Sequence, residues 1–150
     1  MSDEKIDPYA GLQDRLAKTA DEARPEAVAK RRARKGRTAR ENLADLTDGI
    51  AVSEYGQLAV AAQRTRRKGD ALFAETAADA VITAIGPVNS DLFASADSQT
   101  AMIINDYTVL AGTQGYFHHR KIDRLLGLAA EGGLPIVMYT EGGGGRPGDT

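Results

Sequence analysis

Residues 102–145 read MIINDYTVLAGTQGYFHHRKIDRLLGLAAEGGLPIVMYTEGGGG, and this stretch decides the fold class. It begins with a run rich in β-branched and aromatic residues, which is typical of a strand, and a glycine turn follows. Residues 115–131 are predicted to form a helix whose buried face consists of Ile122, Leu125, Leu126 and Ala129. Gly132-Gly133 ends that helix, and the apolar run 134–139 supplies another strand. This order predicts a βαβ unit and therefore an α/β fold.

The N-terminal part of the chain is predicted to be helical. Residues 9–35 carry apolar residues at helical spacing, and Pro25 marks a break or the first turn of a second helix. Gly36 ends this stretch. Thr38 and Glu41 then fit a capping box at the start of a short helix, before a turn at Asp48-Gly49.

Strand-like segments precede and include the first half of the βαβ unit. They are recognised by their apolar, β-branched residues and by glycine or proline at their ends, and they cover 50–55, 80–85 and 102–111. Residues 63–70 and 89–99 are predicted to be connecting loops, the first of them polar and basic.

Composition places the chain among soluble globular proteins. Of 150 residues, 42% are hydrophobic and 27% are charged, which suits one domain with one core. The absence of cysteine excludes disulfides and thiolate metal sites. Because no apolar run reaches about 18 residues, neither a signal peptide nor a membrane span is expected, and we predict a cytoplasmic protein.

A basic run lies between Lys30 and Arg40, with seven basic residues and no acidic one. Such a run can bind phosphate or can be a solvated helical face. A role in nucleic-acid binding is not expected, because no aromatic residue is interleaved for base stacking and no known recognition pattern follows.

The four glycines at 142–145 suggest a backbone cradle for an anion or an oxyanion. Glycine allows the backbone to approach a ligand oxygen closely, and successive N–H groups can stabilise negative charge. A plain flexible loop is the alternative. Residues 143–150 also approximate the spacing of a phosphate-binding loop, but Asp149 stands where lysine is needed, which disfavours a nucleoside triphosphate site.

A second glycine turn, residues 112–115, leads into the basic helix start that contains His118 and His119. Basic side chains at a helix N-terminus oppose the helix dipole, so they hint at a nearby anion. Adjacent histidines on a helix diverge by about 100°, so we interpret this pair as solvated surface residues and not as metal ligands. No Ser-His-Asp or paired-carboxylate pattern is present.

From about Lys35 onward the chain resembles the biotin-dependent acyl-CoA carboxyltransferases, the β subunits of propionyl-, acetyl- and methylcrotonyl-CoA carboxylases. Four blocks carry the resemblance in the order expected, namely Gly36–Asn42, Ala78–Gly86, Asp106–Gly115 with the helix that follows, and Glu141–Arg146. The resemblance implies a crotonase-like (ClpP/crotonase) superhelix. We therefore predict an N-terminal helical, basic segment at 1–35 and an incomplete carboxyltransferase N domain at 36–150.

The resemblance also implies the reaction, which carries CO2 from carboxybiotin on a carrier protein to the α-carbon of an acyl-CoA in fatty acid metabolism. The thioester enolate would be stabilised by an oxyanion hole of backbone N–H groups, which maps onto Gly143, Gly144 and Gly145. Candidate substrate-binding residues include basic groups for the CoA phosphates, and the set is Arg37, Arg40, Gly112, Thr113, Gly115, His119, Arg120, Lys121 and Arg146. No metal is implied in this chain.

A subunit of this family has an N and a C domain, and its active site lies between domains of different subunits. The 150 residues end within the predicted oxyanion loop that begins with the four glycines. We therefore expect the isolated 150 residues to be inactive and to bind a partner through an exposed sheet edge. The implied partners are a biotin carboxylase and biotin carrier, and either identical subunits or a complementing C-domain chain. Two alternatives stay open, a non-catalytic crotonase-like interaction module and the α subunit of a biotin-dependent decarboxylase.

Overall fold

The computed structural model describes residues 7–149. In that range the helices are α1 Pro8–Ala17, α2 Pro25–Ala33, α3 Ala39–Leu46, α4 Asp70–Glu75 and α5 Tyr116–Gly132. The strands are β1 Ser53–Glu54, β2 Val81–Pro87, β3 Gln99–Asn105 and β4 Ile136–Tyr139. Short 3₁₀ turns lie at Asp21–Ala23, Ala77–Ala80 and Leu110–Gly112.

The four strands form one mixed sheet in the order β1-β2-β3-β4. β2 pairs antiparallel with β1 and with β3, and Ile82 lies opposite Ile104. β3 and β4 are parallel, with Ile104 beside Tyr139. The parallel pair is connected by α5, so the predicted βαβ unit is confirmed.

Helices cover both faces of the sheet. Leu43 of α3 packs with Met102 and Ile104 of β3, whereas Leu125 of α5 packs with Ile103. Because successive side chains of a strand point to opposite faces, β3 fills both layers with its apolar run, and its residues 100–105 are all buried. The core is therefore a helix, sheet and helix sandwich centred on β3.

The helix ends follow the sequence signals. Thr38 accepts a hydrogen bond from the Glu41 N–H at 3.0 Å, and the Glu41 carboxylate accepts one from the Thr38 N–H at 2.8 Å, which confirms the capping box. α2 begins at Pro25. Gly133 ends α5 in the left-handed conformation, with φ of +63°.

Two strand predictions are too long. Only Ser53 and Glu54 of the segment 50–55 pair with β2, so β1 is a short edge strand. The strand predicted at 102–111 ends at Asn105, and Leu110 and Ala111 have positive φ in a 3₁₀ turn. This turn redirects the chain from the sheet toward the start of α5.

The loop predicted at 63–70 is confirmed apart from Asp70, which begins α4, a short helix that the sequence did not predict and that buries Leu72. One prediction about burial is wrong. Leu126 was placed on the buried face of α5, yet 40% of it is exposed, because Ile122, Leu125 and Ala129 already fill the contact with the sheet.

The N-terminal helical segment is bonded to the sheet domain. Arg24 donates to Asp106 at 3.1 Å and to the Thr108 hydroxyl at 2.8 Å, and Arg31 donates to Glu141 at 2.5 Å. A boundary at residue 35 stays a prediction. No helix within residues 7–149 combines the length and apolar character needed to cross a bilayer.

Candidate functional site

The glycine loop, residues 142–146, lies against the segment that precedes α5. The Gly143 N–H donates to the Ala111 carbonyl at 3.2 Å. The Gln114 N–H donates to the Gly144 carbonyl at 2.9 Å. These bonds fix the loop at two consecutive residues, so it has a defined position relative to α5.

Of the three predicted oxyanion donors, two have open amides within the described residues. The N–H groups of Gly144 and Gly145 donate to no acceptor within the described residues, and both glycines are exposed. A Cβ built at either position would have nothing within 4 Å in that part of the chain. Gly144 has φ of +82°, a conformation that favours glycine. The third predicted donor, Gly143, uses its N–H for the bond to the Ala111 carbonyl.

The glycine loop and the second glycine turn cross in backbone-to-backbone contact. A Cβ at Gly112 would overlap the carbonyl oxygen of Glu141, and one at Gly142 would overlap the carbonyl oxygen of Gly112. Gly112 also has φ of +63°. Both glycines are therefore required for the crossing that brings the loop to the start of α5.

Arg146 anchors the end of the glycine loop. Its Nη1 donates to Asp79 at 2.5 Å and to Asp149 at 3.1 Å, and its Nη2 donates to the Thr113 carbonyl at 2.5 Å. Only 6% of the side chain is exposed. The structure thus pairs this guanidinium within the fold, although the resemblance suggested Arg146 as a substrate-binding residue.

The start of α5 is capped by the side chain of Asp149, three residues after the glycine loop. The Tyr116 N–H donates to Asp149 Oδ2 at 3.0 Å, and Gln63 donates to Asp149 Oδ1 at 2.9 Å. Gly115 is needed here, because a Cβ would overlap the Asp149 carboxylate and the Arg146 guanidinium. The negative charge at a helix N-terminus is favourable.

A strained turn lies beneath the glycine loop. Ala78, Asp79 and Ala80 have φ of +51°, +47° and +62°, and at most 5% of each residue is exposed. A left-handed conformation costs a residue with a Cβ about 1 to 2 kcal/mol. Three in succession require strong contacts elsewhere in the fold.

Two basic residues of α5 supply those contacts. Lys121 donates from Nζ to the carbonyl oxygens of Ala78, at 2.8 Å, and Val81. The His118 ring is 2.9 Å from the Asp79 carbonyl through Nδ1, and the His118 N–H donates to Asp79 Oδ2 at 2.7 Å. Neither residue is on the surface, which corrects the interpretation of His118 as solvated and leaves Lys121 without access to a phosphate.

Burial changes the proton affinity of both side chains. Desolvation lowers the pKa of Lys121 to about 8, against the raising effects of Glu54 and Asp79. Desolvation also lowers the pKa of His118 to about 4. The His118 Nε2 has no partner within residues 7–149, so protonation there would bury an unpaired N–H.

Acid should destabilise the fold through His118. Its pKa is about 4 in the folded protein and 6.5 ordinarily, so between these values the unfolded chain binds a proton that the folded chain does not. The contribution of neutral His118 to the free energy of unfolding is therefore fully present above the ordinary pKa and decreases as the pH falls toward 4. We expect a loss of about 2 kcal/mol in the free energy of unfolding between about pH 7 and about pH 4.5.

Urea unfolding at several pH values measures this effect. In His118→Asn, an amide N–H can still donate to the Asp79 carbonyl but nothing titrates, so the pH dependence should be shallower than in the wild type. His119 is exposed, and His119→Asn should keep the wild-type dependence. Equal slopes in all three proteins would contradict the prediction.

The remaining predicted phosphate contacts are surface or paired residues. Both Arg40 guanidinium ends bind Glu54, at 2.5 and 3.1 Å, and Arg37 donates to Asp45 at 3.1 Å. His119 and Arg120 are exposed on α5. Among the described residues, no group of three or more His, Cys, Asp and Glu side chains could hold a metal ion.

A basic cavity of about 600 Å³ lies between α2 and the loop after β3. Its lining residues are Ala23, Arg24, Pro25, Glu26, Ala27, Lys30, Arg31, Arg34, Tyr107 and Thr108. Glu26 is the one carboxylate among them. Arg31 reaches from this cavity to Glu141, the residue before the glycine loop, so one side chain connects the two sites.

Comparison with known sequences gives one curated relative and no matching family model. The relative is the beta4 subunit of the biotin-dependent long-chain acyl-coenzyme A carboxylase of Mycobacterium tuberculosis (strain ATCC 25618 / H37Rv). It is 31% identical over 137 residues, which are 91% of this chain and 23% of the relative.

Solved structures give stronger similarity. A single-chain, multi-domain long-chain acyl-CoA carboxylase matches with a TM-score of 0.90 and 50% identity over 95% of this chain and 14% of that one. The beta subunit of geranyl-CoA carboxylase from P. aeruginosa gives 0.64 and 26% identity over 93% of this chain and 23% of that one. Transcarboxylase 12S, at 0.75 and 22% identity over 99% of this chain and 27% of that one, supports the fold alone.

The fold, with its βαβ unit and glycine loop, is that of the crotonase-like carboxyltransferases. More particularly, the chain matches the N-terminal carboxyltransferase domain of biotin-dependent acyl-CoA carboxylases, and the resemblance seen in the sequence is confirmed. The chain spans 14 to 27% of the length of these relatives.

Sequence reasoning missed Asp79, Asp149 and the burial of His118. Asp79 is fully buried and contacts two distant segments, so its role depends on pairings that no local pattern shows. One signal was available. The helix start at 116–121 is rich in basic residues. The two aspartates lie at that helix start, where they accept the N–H groups of Tyr116 and His118.

Proposed function

We propose that this chain is the thioester-binding part of an acyl-CoA carboxyltransferase. The observation that carries the proposal is the pair of open amides at Gly144 and Gly145, held in an exposed loop by bonds to the segment before α5. The similarity to a long-chain acyl-CoA carboxylase at 50% identity supports it. The activity requires parts of the enzyme that lie outside this chain.

The chemistry needs fixed dipoles more than it needs a titratable side chain. Removing the α-proton of a thioester places negative charge on the thioester oxygen, and backbone N–H groups that are already in place can donate hydrogen bonds to that oxygen without reorganising. Each such donor is worth about 3 kcal/mol in the transition state. Gly144 and Gly145 have the free N–H groups for this role, whereas Gly143 supports the loop.

The proposed donor of the carboxyl group is carboxybiotin on a carrier protein, and when bound it would supply the CO2 that the α-carbon accepts. The exposed face of the glycine loop fits the approach of a carried group, because the space in front of Gly144 and Gly145 is open. The biotin carboxylase, the carrier and a C domain from the same or another chain complete the proposed assembly.

The basic cavity beside α2 is the best-placed site for the CoA phosphates. Lys30 and Arg34 line it, and Arg31 connects it to the glycine loop through Glu141. Arg24 is neutralised there by Asp106.

Among the basic residues suggested from the sequence, Lys121 is buried, Arg40 binds Glu54 and Arg37 binds Asp45. His119 and Arg120 are exposed on α5 and do not line this cavity. Our proposal therefore places the phosphates near Lys30 and Arg34.

Arg34→Ala should raise the KM for acyl-CoA about tenfold, because one charged contact to phosphate is lost. The kcat should change little, since the contact lies away from the reacting carbon. Steady-state kinetics of the complete carboxylase with acyl-CoA and with acyl-pantetheine, which lacks the nucleotide phosphates, measures this effect.

The matched control is Arg32→Ala, which removes a guanidinium from the same helix. Arg32 is outside the cavity and binds Glu41 at 2.7 Å. It should leave the KM for both substrates unchanged. If Arg34→Ala raised the KM for acyl-pantetheine as much as for acyl-CoA, phosphate binding at this cavity would be ruled out.

The proposed function itself is tested with the complete enzyme, carrier, ATP and labelled bicarbonate. Transfer of label to an acyl-CoA is the expected result, and a series of acyl chain lengths then defines specificity. Carrier that becomes labelled while every acyl-CoA stays unlabelled would overturn the proposal and favour a non-catalytic module. Rapid loss of CO2 from carboxyacyl-CoA without net carboxylation would instead indicate a decarboxylase.

A further inference from the structure

The Asp79 carboxylate joins two parts of the candidate site that come from different segments. One oxygen, Oδ2, accepts the His118 N–H in the first turn of α5 at 2.7 Å. The other, Oδ1, accepts Nη1 of Arg146 at 2.5 Å. Asp79 has no exposed surface, so these bonds are shielded from water.

Arg146 passes this constraint to the glycine loop. It follows Gly145 directly, and its own N–H donates to the Gln114 carbonyl at 2.8 Å. Its guanidinium also donates to the Thr113 hydroxyl at 3.1 Å and to the Thr113 carbonyl at 2.5 Å. Arg146 is therefore fixed through both its backbone and its side chain, and the amides immediately before it cannot move independently.

The backbone of Asp79 is itself held on both sides. The Asp79 N–H donates to the Thr76 carbonyl at 3.0 Å, and the Asp106 N–H donates to the Ala80 carbonyl at 2.8 Å. Lys121 binds the Ala78 carbonyl. The carboxylate thus projects from a strained turn that is held by one bond from its own start and by bonds to two other segments, the loop after β3 and α5.

The geometry points to Asp79 as a positioning residue that sets the location of the Gly144 and Gly145 amides relative to α5, by way of Arg146. This assignment rests on the proposed function, in which those amides bind the thioester oxygen. Asp79 does not touch the substrate. Its effect on the reaction is carried by the ion pair with Arg146.

Charge and geometry both matter for this role. A carboxylate accepts two hydrogen bonds at once, and the paired guanidinium presents its donors in a fixed planar fork. Asparagine at position 79 keeps one acceptor oxygen and turns its NH₂ group toward either Arg146 or the His118 N–H, so one of the two bonds is lost, and the negative charge that pairs with Arg146 is lost as well. A displacement of the loop by a fraction of an ångström is enough to slow a reaction that depends on aligned donors.

The test compares Asp79→Asn with Thr83→Val in the complete carboxylase. Thr83 is also fully buried and loses one side-chain hydrogen bond, to the Tyr55 carbonyl at 2.8 Å, but it lies in β2 away from the loop. We expect Asp79→Asn to lower kcat about 20-fold with an unchanged KM for acyl-CoA. Thr83→Val should lower the unfolding temperature and keep kcat. A folded Asp79→Asn enzyme with wild-type kcat would overturn the assignment.

A milder variant and a double variant extend the test. Arg146→Lys keeps the positive charge beside Asp79 but removes the fork, and we expect it to fold and to lose about fivefold in kcat. Because Asp79 acts through Arg146, Asp79→Asn combined with Arg146→Lys should be no slower than the worse single variant. Multiplied losses, or wild-type kcat in a folded Arg146→Lys enzyme, would contradict the assignment.

Amide hydrogen exchange in the wild-type enzyme gives a readout that needs no variant. The Gly143 and Arg146 amides should be protected as strongly as the sheet, whereas free exchange at both would show that the loop is not held.

The carboxylation rate of Gly144→Val in the complete enzyme distinguishes a failure of the proposed function from a failure of the positioning role of Asp79. If that variant keeps full carboxylation, the proposed function fails. If it loses carboxylation while Asp79→Asn keeps kcat, only the positioning role fails.

Discussion

Gly144→Val should lower carboxylation of acyl-CoA by at least about 100-fold in the complete enzyme, which is the loss expected when an oxyanion donor is misplaced. Gly144 has φ of +82°, and valine avoids that region, so the backbone must rotate and carry the Gly144 and Gly145 N–H groups away. The loop is exposed at this point, and the fold should therefore remain intact. Steady-state carboxylation, together with circular dichroism of the variant, measures both effects.

The matched control is Gly127→Val. Gly127 lies on the exposed side of α5, has ordinary helical backbone and has no neighbour within 4 Å of a built Cβ in the described chain. This variant should keep wild-type carboxylation. Comparable activity in Gly144→Val and Gly127→Val would remove the glycine loop from the reaction.

Gly142→Ala should destabilise the fold by about 3 kcal/mol, because its Cβ would overlap the Gly112 carbonyl and two backbone segments would have to separate. Gly112→Ala should cost at least as much, since φ of +63° adds strain to the overlap with the Glu141 carbonyl. Urea unfolding of each variant gives the difference in free energy. A lower urea concentration at the unfolding midpoint, with an unchanged m value, would indicate that the variant destabilises the native state through this contact.

Gly145→Ala serves as the control for stability. It lies in the same loop, its φ is outside the positive region, and its Cβ would have open space within residues 7–149. We expect its free energy of unfolding to stay within about 0.5 kcal/mol of the wild type. Equal losses at positions 142 and 145 would mean that the loop tolerates no side chain at all, and the crossing would not be the cause.

The elements that the sequence predicts correctly are those with local causes. The βαβ unit follows from the apolar spacing in α5 and from the glycines that end it, and the capping box needs only Thr38 and Glu41. β1 is shorter than predicted because β-branched residues indicate a strand only where a partner is in register. β3 ends at Asn105 because Asp106 begins a turn, in which its carboxylate accepts the Thr108 N–H and its carbonyl accepts the Val109 N–H.

The candidate site is less predictable, because its polar groups interact across long separations in the sequence. Asp79 contacts His118 and Arg146, which are 39 and 67 residues away in the sequence. No local sequence pattern can predict pairs that are so far apart. The glycine loop was identified from composition alone. Which of its amides are free follows only from the bond between Gly143 and Ala111.

The buried Lys121 ammonium offers a chemical probe of motion in the Ala78–Ala80 turn. Amine-selective acylating reagents modify accessible free amines, and Lys121 is 7% exposed with its Nζ bound to two carbonyl oxygens. Burial lowers its pKa to about 8 in the closed turn, and once the turn opens the solvated amine regains its ordinary pKa and reacts as other exposed lysines do. The rate at which mass spectrometry detects a label on Lys121, compared with that on exposed Lys68, therefore reports how often this turn opens.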